Sequence, residues 1–240
     1  MIASLRSDPR GDMYELYIGN KNYSSWSLRP WVLMRELAIP FAEHVVPFDP
    51  GTSWAKFRAF SPSGKVPCLV DGETTVWDSM GIAEYLAERH DGVWPQDRQA
   101  RAWARCAAAE MHSGFQALRQ HCSMNCGLRL QLDAVPAALG RDVERIGELW
   151  TEGLQRFGGP FLAGARFTAV DAFHAPVAFR IQTYGLEPGA TARAYAGRLL
   201  ALASMRDWER AALAEPWRDA DHEAEAMTGV TLLTDLRRAP

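Results

Sequence analysis

Hydrophobic positions in the first part of the chain switch between the spacing typical of a β-strand and the spacing typical of an α-helix. Residues 14–18 (Tyr-Glu-Leu-Tyr-Ile) alternate as a half-buried strand does, and a second strand is predicted over residues 41–46. Between them, Trp31 to Leu37 carry apolar side chains at helical spacing, with Pro30 fitting the first turn of that helix. A short helix is predicted over residues 54–60. The pattern therefore indicates a strand, a helix, a strand and a helix in succession.

A hairpin and a further helix complete this first unit. Residues 66–70 form an apolar run, a turn interrupts it, and residues 75–77 resume as a second short strand. From Ser79 onward the spacing is helical again, so Asp78 and Ser79 stand at the N-terminus of a helix. This order of elements is typical of a thioredoxin-like α/β domain, which we predict over residues 13–90.

Beyond residue 98 the pattern is helical. Long amphipathic helices are predicted from Gln99 to Cys122 and from Pro136 to Phe157, and shorter ones over residues 172–185, 190–203 and 204–215. Thr168 and Asp171 have the spacing of a capping box, in which side chain and backbone satisfy each other's donors. We therefore predict an all-α helical-bundle domain over residues 98–240, a linker over 91–97 and a disordered tail over 1–12. Residues 218–240 show no clear helix or strand pattern, so we assign no secondary structure to them.

Composition and charge are ordinary. Of 240 residues, 48% are hydrophobic and 23% charged, and the formal net charge is −3, which favours neither a nucleic-acid partner nor an anionic membrane. The apolar runs are too short for a membrane span, and residues 1–12 lack the apolar core of a secretory signal. A cytoplasmic location is expected.

The four cysteines (Cys68, Cys106, Cys122 and Cys126) form no Cys-x-x-Cys pair and no dense framework, so reduced thiols are expected. Cys122 and Cys126 lie four apart on a predicted helix, with His121 beside them. Since nothing nearby in the sequence completes a tetrahedral set, we interpret them as core cysteines and expect no metal.

Serines before the first predicted helix are the first candidates for chemistry. A hydroxyl at Ser24 or Ser25 can donate a hydrogen bond to a thiolate, and the helix dipole favours the negative charge. Both effects lower the pKa of a bound thiol from its ordinary value of about 8.5, which increases the nucleophilic fraction. Serines here also serve simply as helix caps, and residue physics alone favours that role.

A second segment resembles the glutathione-binding half of soluble glutathione S-transferases. Its sequence is Gly64-Lys65-Val66-Pro67-x-Leu, followed by Asp78-Ser79-x-x-Ile82-x-x-Tyr85-Leu86. The resemblance implies a cis Val66–Pro67 bond, with the Val66 backbone pairing with the cysteinyl unit of glutathione as an added strand. It implies that Asp78 and Ser79 bind the γ-glutamyl amine and carboxylate, and that Lys65 or Lys56 meets the glycyl carboxylate. Surface lysines are usually only solvated, which is the plainer interpretation of both.

The serine segment fits the same resemblance. Ser24-Ser25-x-Ser27-x-Arg29 is similar to the Ser-Ser-Cys-Ser-Trp-Arg segment of zeta-class transferases, which implies that Ser24 activates glutathione. The theta-class pattern, with the serine four residues before the arginine, implies Ser25 instead. Tyr23 is a third candidate, because tyrosine classes exist. Trp26 replaces the zeta cysteine, which weakens a transfer of zeta isomerase chemistry and of mixed-disulfide chemistry.

In this family the acceptor pocket lies between the two domains. Met111, His112 and Phe115 on the first long helix are candidates for its wall, with Trp26 facing them. The same spacing is typical of core packing, and a helical histidine is more often a polar-face residue than a base. Gly114, which we predict to lie within that helix, favours close approach of a neighbour or a ligand.

The predicted function is that of a detoxifying glutathione S-transferase. Glutathione is the expected co-substrate, a small hydrophobic electrophile the second substrate, and a homodimer the assembly that the resemblance implies. Two alternatives stay open. A zeta-like glutathione-dependent isomerase of the maleylacetoacetate type would need cationic contacts to substrate carboxylates, for which only Arg29 stands out. A non-catalytic binding or regulatory protein of the same fold tends to lose the thiol-activating and γ-glutamyl contacts, whereas Ser24, Ser25, Asp78 and Ser79 are present.

Overall fold

A four-stranded sheet forms the centre of the first half of the protein. The structure, a computed structural model, describes residues 13–49 and 51–237, so the tail predicted over residues 1–12 lies outside the described residues. The strands lie in the order β2-β1-β3-β4, with β1 parallel to β2 and antiparallel to β3, and β3 antiparallel to β4. The elements are β1 (Tyr14–Ile18), α1 (Ser25–Glu36), β2 (Phe41–Val45), α2 (Ser53–Arg58), β3 (Cys68–Asp71), β4 (Thr74–Trp77) and α3 (Ser79–Ala87).

The first half has the predicted thioredoxin-like order, and the prediction of that fold is confirmed. Leu16 and Ile18 on β1 are fully buried, as expected where alternate strand residues face a core. Helix α1 packs against both α3 and α7, so it lies at the junction of the sheet and the helical part. It begins at Ser25, so Pro30 lies one turn further into the helix than predicted, at the loss of one backbone hydrogen bond.

The second half is mostly helical and is built around α7. Every residue of α7 except Gln182 is buried, and the helix packs against α1, α4 and α8. No helix in the described ranges is both long and apolar enough to cross a membrane. The elements are α4 (Arg98–Ser113), α5 (Gln116–His121), β5 (Leu128–Leu132), α6 (Ala137–Phe157), α7 (Ala169–Tyr184), α8 (Ala190–Leu200), α9 (Ala203–Ala214), α10 (Ala220–Ala226) and β6 (Val230–Asp235).

A pair of strands corrects the prediction that residues 98–240 are entirely helical. β5 and β6 pair in antiparallel fashion, with Leu132 opposite Val230. The apolar and polar residues of β5 alternate, but the run is short and its partner lies far away in the sequence, so the local pattern did not reveal the pairing. The pair also gives a place to the segment after residue 218, which the sequence left unassigned.

The helix predicted from Gln99 to Cys122 is interrupted, which corrects the placement of Gly114 within it. Gly114 is the C-cap of α4, and its N–H donates to the carbonyl of Glu110 at 2.8 Å. A Cβ at this position would lie 2.8 Å from that carbonyl oxygen, so a larger residue would disturb the cap. Phe115 then adopts a left-handed conformation with φ of 58° before α5 begins. The glycine ends a helix here, and the neighbour that approaches it closely is the carbonyl of Glu110.

The predicted capping box at the start of α7 is confirmed. The buried carboxylate of Asp171 accepts from the backbone N–H of Thr168 and of Leu162, both at 2.9 Å, and from the hydroxyl of Tyr195 at 2.6 Å. Burial raises the pKa of Asp171 to about 6, while these hydrogen bonds oppose the rise. The side chain thus joins the start of α7 to the preceding loop and to α8.

The loop between β1 and α1 is held by residues from the far end of the chain. Glu215, just after α9, accepts from the backbone N–H groups of Lys21 at 2.6 Å and Asn22 at 3.2 Å. Trp208 donates its ring N–H to the carbonyl of Lys21 at 2.9 Å. Burial raises the pKa of Glu215 to about 7, although both backbone donors lower it. The segment that carries the candidate serines is therefore fixed by the helical part.

Candidate functional site

Two neighbouring cavities hold most of the predicted site residues. The first, which we call the hairpin cavity, has a volume of about 430 Å³, and the second, the serine cavity, about 460 Å³. Trp26, Lys65 and Val66 line both of them. The hairpin cavity also has Pro67, Asp78 and Ser79 in its wall, and the serine cavity has Ser24 and Ser25.

Asp78 and Ser79 form the floor of the hairpin cavity at the N-terminus of α3. Asp78 has a φ of 71°, which is uncommon for a residue with a side chain, and its carboxylate accepts from the backbone N–H of Met80 at 2.7 Å. The side chain of Asp78 is 48% exposed, so its charge is available to a ligand. Ser79 is buried and accepts from the guanidinium of Arg29 at 3.3 Å. The Asp78 carboxylate and the N-terminus of α3 thus stand side by side.

The bond between Val66 and Pro67 is cis, as the resemblance implied. Strand β3 begins at Cys68, so the Val66 backbone lies outside the ladder of the sheet and in the wall of both cavities. Cys68 is fully buried, which agrees with a packing role. Lys65 is exposed beside the cavities, whereas Lys56 pairs with Asp49 at 2.6 Å.

The two candidate serines differ in their hydrogen bonds. Ser24 is the N-cap residue of α1 but makes no side-chain cap bond, and its hydroxyl donates to Ser27 Oγ at 2.7 Å. Ser25, the first residue of α1, accepts from Nη2 of Arg180 at 3.4 Å. Among the described residues, Ser25 Oγ has no acceptor for its own hydrogen. The Ser25 hydroxyl is therefore free to donate into the serine cavity.

Tyr23 uses its hydroxyl elsewhere. The hydroxyl donates to Glu223 on α10 at 2.5 Å, and the ring stacks on His222 with centroids 5.2 Å apart. Burial and the Glu223 carboxylate raise the pKa of Tyr23 to about 12. A hydroxyl bonded to a carboxylate in this way is poorly suited to stabilise a thiolate.

The residues predicted to line the acceptor pocket divide into two pairs. Met111 and Phe115 are buried in the core, and neither lines the hairpin cavity or the serine cavity. Trp26 lines both, and His112 lies beside it with ring centroids 5.2 Å apart.

His112 connects α4 to the hairpin cavity. Its Nε2 lies 3.6 Å from the Asp78 carboxylate, and its Nδ1 lies 3.4 Å from the Arg29 guanidinium. The pKa of His112 is lowered, chiefly by burial and also by Arg29 and Arg119, while Asp78 opposes the change. The imidazole is therefore neutral at pH 7.

Sequence reasoning missed two arginines that line the serine cavity, Arg119 on α5 and Arg180 on α7. The signal for Arg180 was present in the sequence, because it is the one charged residue between Phe173 and Tyr184, a run with the composition of a buried helix. Arg119 carried no comparable signal, since it lies in a polar stretch.

A larger depression, about 760 Å³, lies between β5, α6 and the turn after α7. The charged residues in its wall are Glu144, Glu148 and Glu187, and none of the predicted site residues is there. Within residues 13–49 and 51–237, no three histidine, cysteine or acidic side chains converge as a metal site. All four cysteines are unpaired.

Comparison with known sequences gives matches concentrated in the first half. Residues 23–89 match the family described as glutathione S-transferase, N-terminal domain. A stretch of 62 residues is 48% identical to the dichloromethane dehalogenase of Methylorubrum extorquens, covering 25% of this chain and 22% of that protein. A stretch of 96 residues is 33% identical to mouse glutathione S-transferase theta-1, covering 38% and 39%. The matched regions thus span well under half of these two relatives.

Comparison with solved structures covers most of the chain. A glutathione transferase homologue from Burkholderia, solved with bound glutathione, has a TM-score of 0.62 at 22% identity and covers 84% of this chain and 98% of that one. A glutathione S-transferase from Rhodospirillum rubrum has a TM-score of 0.63 at 21% identity, covering 90% and 99%. The chain therefore has the glutathione S-transferase fold, with a thioredoxin-like N-terminal domain and a mostly helical C-terminal region.

Proposed function

We propose that this protein is a glutathione S-transferase in which the Ser25 hydroxyl activates the thiol of bound glutathione. The observation that carries the proposal is the position of Ser25. It lies at the N-terminus of α1, with a free hydroxyl hydrogen, in a cavity that shares Lys65 and Val66 with the hairpin cavity. A tripeptide across that shared wall would bring its sulfur to the serine.

The hairpin cavity suits the γ-glutamyl end of glutathione. The exposed Asp78 carboxylate attracts the amine, and Ser79 with the N–H groups of α3 accommodates the carboxylate. The backbone of Val66 is free to pair with the cysteinyl unit, and Lys65 offers its charge to the glycyl carboxylate. The glutathione bound in the Burkholderia homologue supports this ligand.

The environment of Ser25 favours a thiolate over a thiol. A hydroxyl donor, the positive end of the α1 dipole and the Arg180 guanidinium all stabilise negative charge there. A lower thiol pKa increases the concentration of the nucleophile at neutral pH. The contacts favour Ser25 over Ser24 and leave Tyr23 the weakest of the three. The likeness to theta-class sequences supports the same serine, four residues before Arg29.

The remaining parts of the proposal follow from the fold family. We place the glutathione-binding domain over residues 13–90, the linker over 91–97 and the helical domain over 98–240. The protein is a cytoplasmic homodimer in this proposal, and its second substrate is a small electrophile that enters the serine cavity from the helical side.

Two measurements test the proposal in sequence. The full chain is first applied to immobilised glutathione, where retention and elution by free glutathione are expected, and flow-through would favour a non-catalytic protein of the same fold. Conjugation of chlorodinitrobenzene is then followed for wild type, Ser25→Ala and Ser24→Ala. Turnover that is lost in Ser25→Ala supports the assignment. Equal turnover in all three proteins would remove the serine from the mechanism.

A further inference from the structure

Three arginines meet at the junction of the two halves. The Arg29 guanidinium lies 4.1 Å from the centroid of the Trp26 ring, and that of Arg119 lies 4.9 Å from it. Arg180 lies next to Ser25, one residue before Trp26. Burial lowers the pKa of Arg29, and the charges of Arg119 and Arg180 lower it further. Positive charge is therefore concentrated around one tryptophan.

Arg180 is the more deeply buried of the two arginines in the serine cavity. It is 5% exposed, donates to the carbonyl of Cys122 and to Ser25 Oγ, and still lines the cavity. Burial lowers its pKa to about 10, and Arg119 contributes to the decrease, so the group stays charged at pH 7. Its contacts with described residues use two of the five N–H donors that a guanidinium carries.

Arg119 reaches the same cavity from α5. It donates to the carbonyls of Met111 and of Gly114, the latter at 3.0 Å, which ties it to the end of α4. Its guanidinium also has donors to spare. In the described part of the chain, no carboxylate lies within 4.0 Å of Arg119 or Arg180.

The acidic residues around the cavity do not neutralise Arg119 and Arg180. Glu225 lines the cavity but is exposed, and it acts on Arg180 only at a distance. Glu223 is engaged by Tyr23 and Arg237, and Asp219 by His222 at 2.6 Å. Asp142 accepts from the backbone N–H of Leu118 at 2.9 Å and affects Arg119 through space. Buried charges without a close counter-ion are costly, so the buried Arg180 and the half-buried Arg119 favour a ligand that supplies the opposite charge.

Glutathione accounts for part of this charge but not for all of it. Its γ-glutamyl end suits Asp78 and Ser79, and its glycyl carboxylate has Lys65. The thiolate can balance only part of the charge of Arg119 and Arg180, through Arg180 beside Ser25, whose remaining N–H donors stay available. Arg119 also lines the cavity, and Phe48, Phe57 and Met124 supply apolar surface in the same wall. The serine cavity therefore suits a ligand that has an apolar part and a terminal anionic group.

Resting on the proposed function, we infer that the second substrate is an electrophile that carries a carboxylate, which binds to Arg119 and Arg180 in the serine cavity. A guanidinium binds a carboxylate with two parallel hydrogen bonds, and two guanidiniums fix its orientation. The apolar remainder of the substrate lies against Phe48, Phe57 and Met124. The charge selects the substrate and sets the distance between its reactive carbon and the thiolate.

A chlorodinitrobenzoate and its uncharged amide are matched probes of this inference. In both, the thiolate sulfur forms a bond to the ring carbon that bears chlorine, the carbon–chlorine bond breaks, and chloride leaves with the electron pair. The thiol proton goes to solvent. For each probe, kcat/KM is divided by the rate constant of the uncatalysed reaction with glutathione, which removes the difference in intrinsic reactivity.

The measured quantity is the ratio of the two normalised values, acid over amide. In wild type we expect the ratio to exceed about ten, since hydrogen bonds to charged groups are individually strong. Arg119→Met and Arg180→Met should each lower it by about tenfold, whereas Arg180→Lys, which keeps the charge, should retain part of it. Arg210→Met removes an equal charge at an exposed position and serves as the control. Thermal unfolding shows whether each variant is folded. If Arg180→Met does not fold, Arg119→Met and Arg180→Lys are enough for the test.

The outcomes separate this inference from the function on which it rests. A ratio near one in wild type, or equal losses for acid and amide in the arginine variants, would overturn the inference and restrict the arginines to the thiolate and the fold. If neither these probes nor chlorodinitrobenzene is turned over, the transferase proposal fails. The glutathione conjugates of the two probes are then compared in calorimetric binding. Tighter binding of the acid conjugate, lost in Arg119→Met, supports the anion site, and equal or absent binding refutes it.

Discussion

The hydroxyl of Ser24 donates to the hydroxyl of Ser27 over 2.7 Å, so its hydrogen is engaged within the loop. Ser27 also accepts from the N–H of Gly19 at 3.1 Å, so this pair holds the loop before α1. We therefore expect Ser24→Ala to lower thermal stability by about 1 kcal/mol while the thiol pKa of bound glutathione changes little.

Ser25→Ala should change the pKa of the bound thiol and leave the stability of the protein nearly unchanged. Loss of its donor raises the pKa of the bound thiol and lowers kcat/KM by about tenfold to a hundredfold, with little effect on unfolding. Ultraviolet titration of the thiolate in the complex measures the pKa directly. A larger pKa rise in Ser24→Ala than in Ser25→Ala would reverse the assignment.

Asp78 combines a charge with an uncommon backbone conformation, and two substitutions separate them. Asp78→Asn keeps the cap to Met80 and tolerates the positive φ, so stability should hold while KM for glutathione rises about tenfold through loss of the charge. Asp78→Ala loses the cap and strains the backbone, and should also destabilise the protein by about 1 to 3 kcal/mol. An unchanged KM in both variants would remove Asp78 from the glutathione site.

The raised pKa of Glu215 predicts a decline of stability with pH. In the folded protein this carboxyl titrates at about 7, compared with an ordinary value of 4.5, so the native state binds the proton more tightly than the unfolded state does. The contribution of this one carboxyl to the free energy of unfolding should therefore fall by about 3 kcal/mol as pH rises from about 4.5 to 7, and level off above. Urea unfolding across this range measures the slope.

Glu215→Gln is the matched control for that slope. It cannot titrate, and the contribution of Asp171 is common to both proteins and cancels in their difference. The difference in unfolding free energy, wild type minus variant, should shrink by about 3 kcal/mol between pH 4.5 and 7. A difference that stays constant would show that Glu215 titrates normally in the folded protein.

Asp171 is expected to be the most sensitive single position for folding. Asp171→Ala leaves the backbone donors of Leu162 and Thr168 and the hydroxyl of Tyr195 buried without their acceptor, at a cost of about 3 to 5 kcal/mol. Tyr195→Phe removes one of these donors, so the double variant should be less destabilised than the sum of the two. Denaturant midpoints measure this coupling, and strict additivity would contradict the hydrogen bond to Tyr195.

Much of the first domain was predictable because its signals are local. The alternation of β1, the turn within the hairpin and the helical spacing after Ser79 each act over a few residues. The box at Thr168 and Asp171 was predictable for the same reason. The pairing of β5 with β6 was not, because the alternation within β5 is short and nothing in it identifies a partner about a hundred residues away.

The sequence indicated many of the residues of the candidate site, but not the hydrogen-bond partners of their side chains or the cavity that each side chain faces. The sequence indicated Ser24 and Ser25 together, and only the partners of each hydroxyl distinguish them. It also indicated Met111 and Phe115 as pocket residues, whereas helix ends and rotation determine which side of α4 meets a cavity. Arg180 was visible as a charge in an apolar run, but its contact with Ser25 required the fold.

The contact of Glu215 with the backbone at Lys21 also bears on how the protein is made. During synthesis, the serine loop emerges from the ribosome long before the carboxylate that secures it, so the nascent chain carries an unsupported loop until Glu215 has been made and has left the ribosome. Ribosome-bound intermediates that end before residue 215 should bind thiol ligands poorly even if their sheet is already formed. The capacity for chemistry would then arise abruptly once Glu215 and the helix before it have docked on the loop.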